Sequence, residues 1–303
     1  MANRVIRTIA ALAVSALTLS AATAAPVGAI DSEGRALTLA APATRIVSLS
    51  PAITETLFAI GAGSRVVGVT TYCDWPSAAL SLPKVGGFSA STISIEKIVA
   101  LKPNLVVGSG SIHRSVEEAL ARLGIPVFTY APSDFEGISH EMRALGALTD
   151  SAKGAASAAD AMLSTIASVR SALADLAASA RPSVFWEIYD EPLMTCGSST
   201  FQHFILEAAG GRDIFADLPG SWPRVGAEEV IQRAPAWILG ADDHGDKMSV
   251  EQIASRPGWS SIPAVRNRRV VLIPAAIVSR PGPRVAEGVL AVAMILFPER
   301  FKK

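Results

Sequence analysis

Short, almost wholly apolar runs alternate with amphipathic stretches along most of this chain. Residues 45–50, 65–70, 105–109 and 127–130 are rich in Val, Ile and Leu, the pattern of strands buried on both faces of a parallel sheet. Between them, residues 53–60, 94–101 and 115–123 carry apolar side chains at helical spacing, and Gly61-Ala62-Gly63 and Gly124 stand where helix C-caps belong. Strand, helix and strand in succession predict an α/β lobe over residues 44–148. A second set follows: 184–189, 236–240 and 269–273 as strands, 201–209 and 284–297 as helices, giving a second lobe over 182–303. The stretch between them differs. Residues 151–180 hold no proline and one glycine, and Met162, Ile166, Val169, Leu173 and Leu176 recur at steps of four and three. That predicts one long helix within 149–181, capped at Asp150 or Ser151 and stopped by Arg181-Pro182. The expected fold class is α/β, two Rossmann-like lobes with parallel sheets joined by one long rigid helix; an ordinary crossover helix of one larger domain is the plainer alternative.

One segment occurs twice. SIEKIVALKPNLVVG (94–108) aligns without a gap on GAEEVIQRAPAWILG (226–240), so Glu96 meets Glu228, Pro103 meets Pro235 and Gly108 meets Gly240. Each copy is a short amphipathic helix, a proline that stops it and an apolar strand. A carboxylate at the same early helical position of each lobe suits a partner with two-fold symmetry. For one glutamate, compensation of the helix dipole is explanation enough; for both in register it explains less.

The first residues add a location. Arg4 and Arg7 precede an apolar run from Ile9 to Leu19, too short to span a bilayer, and Ala22-Thr23-Ala24 is an A-x-A cleavage site. Residues 1–24 are thus expected to be a secretory signal, and the mature chain a soluble periplasmic protein. With no Cys near the cleavage site, no lipid anchor is expected. Formal net charge is zero, from 27 basic and 27 acidic residues, which argues against a nucleic-acid partner. Cys73 and Cys196 fall in different lobes and are expected to be free thiols rather than a bridge.

Candidate chemistry is sparse. There is no G-x-S-x-G, phosphate loop or G-x-G-x-x-G after a strand, and His113, His140, His203 and His244 lack metal spacing, so neither catalytic residues nor a metal site are assigned. His113 alone follows a strand end where cleft loops belong. The loops at the carboxyl ends of the predicted strands carry Tyr72, Cys73, Trp75, His113, Met194, Cys196, Arg280 and Arg284, with Phe88 and Trp222 shortly before the two repeated helices. Aromatic faces with arginines suit a large flat ligand with polar arms, held between two lobes. The competing class is an exported thiol enzyme using Cys73 or Cys196, which needs an activating base.

The stretches RIVSLSPAITETLFAIGAGSRVVGVTTYCDWP, LPKVGGF and SIEKIVALKPNLVVG, followed by EPLMTCGSSTF, LEAAGGRDIFAD, SWPRVGAEEVIQRAP and SRPGPR, resemble the periplasmic binding proteins of ABC importers for vitamin B12, ferric siderophores and haem. The likeness is greatest to members that bind vitamin B12. It implies a monomeric binding protein without a cofactor, which captures a metal-chelate small molecule and hands it to a dimeric ABC permease in the inner membrane. Cobalamin or another corrinoid is the implied ligand, with ferric siderophore and haem as alternatives. Carried over by residue, the resemblance implies ligand contacts at Tyr72, Phe88, Met194, Trp222 and Arg280, and permease docking at Glu96 and Glu228. Two departures stand out: no tryptophan in the loop 108–111, and Ala276 where an acidic residue would be expected.

Overall fold

The computed structural model describes residues 25–242 and 249–301; the expected signal at 1–24 and His244 lie outside the described residues. The chain opens with an antiparallel hairpin, β1 (Val27–Ile30) and β2 (Ala36–Leu39), which the apolar pattern does not predict. The first lobe then runs β3 (Ile46–Ser48), α1 (Pro51–Ala59), β4 (Val66–Gly68), α2 (Ile95–Ala100), β5 (Leu105–Gly108), α3 (Arg114–Arg122), β6 (Val127–Thr129) and α4 (Phe135–Leu148). Its sheet is parallel throughout, in the order β4-β3-β5-β6. Neighbouring residues explain the unbroken apolar runs. Ile46, Leu105 and Val107 join the core that faces α1 and α4, while Val47 and Val106 pack on the other side with Ile98, Val116 and Leu120.

α5 (Ala152–Ala172) links the lobes. It is shorter than the sequence pattern predicts, ending eight residues before Ala180. The reason is tertiary: Arg300 donates to the Ala172 carbonyl at 3.0 Å and pairs with Asp175, so an end carbonyl is satisfied by a distant guanidinium instead of a further helical turn. Leu173 and Leu176 still turn inward, which is why the periodicity continues past the helix. Ser151 occupies the N-cap position, but its hydroxyl accepts from Arg65 at 2.8 Å rather than from the helix. The single glycine of α5, Gly154, lies against the end of α1; a Cβ there would come 2.2 Å from the Ile60 carbonyl oxygen. Met162, Ile166 and Val169 belong to one apolar cluster that runs from the first lobe through α5 into the second.

The second lobe runs β7 (Ser183–Asp190), β8 (Leu193–Thr195), α6 (Phe201–Ala208), β9 (Arg212–Asp213), α7 (Ala227–Arg233), β10 (Trp237–Ala241), α8 (Val250–Ser255), α9 (Pro263–Arg266), β11 (Val270–Ile273), α10 (Ala275–Val278) and α11 (Val285–Leu296). Its sheet has the order β11-β10-β7-β8, with β9 also beside β7. β8 is antiparallel, folding back on the end of β7 as a hairpin, so this sheet is mixed where an all-parallel one was expected. The two copies of the repeat occupy equivalent places: β5 lies between β3 and β6, and β10 between β7 and β11. Even the strain is repeated, for Lys102 and Ala234, each just before the repeat's proline, both have φ of 48°. No helix among the described residues is long and apolar enough to cross a membrane.

Candidate functional site

The carboxyl ends of the two sheets meet at the lobe boundary. Arg280 follows β11 and α10, and its Nη1 lies 2.7 Å from Glu55 Oε1 and 2.6 Å from Asp74 Oδ1. Glu55 belongs to α1, which leaves β3, and Asp74 to the loop that leaves β4. Tyr130, just past β6, donates its hydroxyl to the Pro281 carbonyl at 2.8 Å. Loops from both lobes therefore face one another, as a ligand site between lobes requires. Arg284 stands 3.8 Å from Glu55 and lies over the Trp75 ring, 4.6 Å from its centre. Burial pushes the Glu55 carboxyl above its ordinary pKa, opposed by Arg280 and Arg284, and its Oε2 has no hydrogen-bond partner. The Arg280 hydrogen bond holds Asp74 below its ordinary value. Two guanidinium groups and two carboxylates thus cancel in charge, and Arg280 is already engaged.

Trp75, beneath Arg284, is one of several aromatic rings left open to solvent. Among the described residues Tyr72 (58 % exposed), Trp75 (51 %), Phe88 (45 %), Tyr189 (36 %) and Trp222 (51 %) are the aromatic side chains left open to this degree, and all sit at or beyond strand ends or before the repeated helices. Half-open tryptophans are not explained by packing on Pro76 or Pro223 alone. Local hydrogen bonds fix their positions. The Ser109 N–H donates to His113 Nδ1 at 3.0 Å, so Nε2 carries the proton and donates to the Phe88 carbonyl at 2.8 Å. His113 is fully buried, and burial lowers its pKa; it props the Phe88 loop from behind rather than facing the cleft. On the other lobe, the Gly197 N–H donates to the Ser221 carbonyl at 2.7 Å and Thr195 N–H to Pro223 at 3.1 Å. Only glycine fits at 197, because a Cβ would meet the Gly220 carbonyl oxygen at 1.9 Å. This clasp carries Trp222. Met194 is half-buried on β8 alongside it.

Glu96 and Glu228 are each the second residue of a short helix, α2 and α7, and both are exposed. Hydrogen bonds from its own backbone N–H and from the Ser94 hydroxyl, the latter at 2.9 Å, hold the Glu96 carboxyl below its ordinary pKa. At the matching position before α7 stands Gly226, which offers no such hydroxyl.

Comparison with known proteins decides the family. The periplasmic binding protein family matches residues 46–277. The chain belongs to the periplasmic binding protein family. The vitamin B12-binding protein of Salmonella typhimurium is 36 % identical over 212 residues, covering 69 % of this chain and 77 % of that protein. An uncharacterized ABC transporter substrate-binding lipoprotein of Bacillus subtilis, YvrC, is 29 % identical over 283 residues, 92 % of this chain and 88 % of the relative. Among solved structures, the periplasmic vitamin B12-binding protein BtuF of Vibrio cholerae superposes with a TM-score of 0.72 at 27 % identity, covering 86 % of this chain and 99 % of that one.

In this periplasmic binding protein both thiols are free and buried. Cys73 lies 3.1 Å from the Thr54 hydroxyl. Cys196 approaches Asp213 at 3.6 Å, and Asp213 also bonds His203 Nδ1 at 3.0 Å. The carboxylate stands between thiol and imidazole, and burial followed by Asp213 raises the Cys196 pKa well above its ordinary value. That is the opposite of an activated nucleophile. No group of three His, Cys, Asp or Glu side chains that could hold a metal occurs among the described residues. A hollow of about 540 Å³ adjoins the ion cluster, between α1, α5 and α11, with Glu55, Trp75 and Arg284 in its lining. Glu55, Asp74 and Tyr189 are members of the interlobe region that sequence reasoning misses. The acid two residues after Tyr72 was visible as part of YCDWP, but its partner Arg280 is 206 residues away.

Proposed function

We propose that this protein is the periplasmic substrate-binding component of an ABC importer and that it captures cobalamin or a related corrinoid between its lobes. The observation that carries this reading is that, among the described residues, the five aromatic rings left open to solvent all stand at or beyond strand ends or before the two repeated helices, in both lobes. Rings left half in water favour a large, flat, partly apolar partner that covers several at once. The vitamin B12-binding relatives support the same class of ligand. Tyr72, Phe88, Met194 and Trp222 supply contact surface; Arg280 orders the base of the cleft through Glu55 and Asp74. Export through cleavage after residue 24 places the mature chain in the periplasm as a monomer. Glu96 and Glu228 then meet basic residues on the two halves of a symmetric permease.

Titration of the purified protein with cyanocobalamin, ferric siderophores and haem, read by calorimetry and by absorbance, tests the ligand. Corrinoid binding at micromolar or tighter affinity with no binding of the others is expected. Capture of haem or a ferric siderophore in place of a corrinoid overturns the assignment.

A further inference from the structure

A row of three side chains crosses the second lobe beside Trp222. Tyr189 on β7 is paired with Met194 on β8, and Met194 in turn forms an antiparallel bridge with Arg224. Thr195 N–H donates to the Pro223 carbonyl and Val225 N–H to the Leu193 carbonyl, at 3.1 and 3.0 Å. This is the pattern of a non-hydrogen-bonded pair, which brings the Met194 and Arg224 side chains close together. Directly opposed residues project to one face. Leu193 and Val225, their neighbours, pack into the apolar cluster around Phe185 and Trp259. Tyr189, Met194 and Arg224 therefore lie on the opposite, open face, and the exposed Trp222 precedes Arg224 by two residues. Arg224 is exposed and has no ion-pair or hydrogen-bond partner among the described residues. The two guanidinium groups expected in the cleft are both engaged, Arg280 with Glu55 and Asp74 and Arg284 with Glu287 and Glu55.

We propose that Arg224, next to the Tyr189 and Met194 side chains, is a specificity-determining residue that receives an anionic oxygen arm of the ligand while the neighbouring rings cover its flat body. A guanidinium presents several donors in a plane and matches a phosphate or carboxylate. Resting on the corrinoid reading, the anion is the phosphodiester of the nucleotide arm. The cleft then distinguishes a complete cobalamin from a corrinoid that lacks that arm.

Calorimetry on the wild type, Arg224→Ala and Arg224→Lys with cyanocobalamin and with dicyanocobinamide, which has no phosphodiester, tests the inference. Arg224→Ala should weaken cobalamin binding roughly 10- to 150-fold, the range for a hydrogen bond to a charged group. Cobinamide binding should change less than about twofold, and Arg224→Lys should recover part of the loss. Equal losses for both corrinoids, or none for either, overturn the role of Arg224. If the wild type holds haem instead of a corrinoid, the ligand assignment fails separately. Arg224 then stands only if Arg224→Ala weakens haem and spares haem dimethyl ester. A wild type that binds none of these probes overturns both.

Discussion

Two side chains of the interlobe region make opposite contributions. Trp222 is half exposed and clasped through its backbone, so its ring does little for the fold and is free to meet a ligand. Trp222→Ala should weaken corrinoid capture by about 1–3 kcal/mol while leaving the melting temperature of the free protein unchanged, as calorimetry and thermal denaturation would show. A matching loss of thermal stability would make it a packing residue. Arg280 is the reverse case. It neutralises a Glu55 side chain that is 1 % exposed, so its removal takes away the only hydrogen-bonded cation, among the described residues, of a buried carboxylate and leaves Arg284, at 3.8 Å, as the nearest charge. Arg280→Ala should cost on the order of 3 kcal/mol in urea unfolding. Adding Glu55→Gln should restore part of that loss, because the stranded charge goes with it.

At the scale of elements, the opening hairpin is tied to α4 by a buried acid. Ser32 Oγ donates to Glu141 Oε1 at 2.6 Å and accepts from the Ala131 N–H at 2.7 Å. Glu141 Oε2 has no partner, and burial pushes its pKa up to about 7, against the hydrogen bond from Ser32 and with a small push from Asp31. A carboxyl with a raised folded pKa holds its proton where the unfolded chain has released it. Stability from this group therefore falls as pH rises from about 4.5 to 7 and is flat above. Glu141→Gln keeps a neutral side chain at all pH values. The difference in melting temperature between Glu141→Gln and the wild type should widen in favour of the variant across that window. A constant difference would mean that Glu141 is ionised throughout.

The whole molecule is two lobes whose apolar core runs continuously through α5, with an ion cluster bridging their loops. That arrangement resists hinge motion. Solution scattering with and without cobalamin should give nearly the same radius of gyration, and a marked compaction on binding would overturn the rigid linkage. The exposed glutamates at the starts of α2 and α7 belong to the same scale, because they act as a pair. Reversing both, Glu96→Arg with Glu228→Arg, should spare ligand affinity and fold but stop uptake in cells that lack their own copy. Normal uptake by the double variant would remove the docking role.

Sequence alone determined the features set by local periodicity. Strands buried on both faces must be apolar run by run, and helices must repeat at helical spacing, so both sheets and most of their helices were legible. So was the repeat, because equivalent places in the two lobes impose the same helix, stop and strand. The hairpin was not read, since it stands outside the strand–helix alternation of the lobes; α4 was not read although it continues that alternation after β6. Only the tertiary structure decided where α5 ends, since Arg300 comes from the far end of the chain. It also turned His113 from a cleft candidate into a buried prop, and Arg280 into the partner of Glu55 and Asp74. These are pairings between residues distant in sequence, and no local pattern records which charged side chains the fold brings within hydrogen-bond reach.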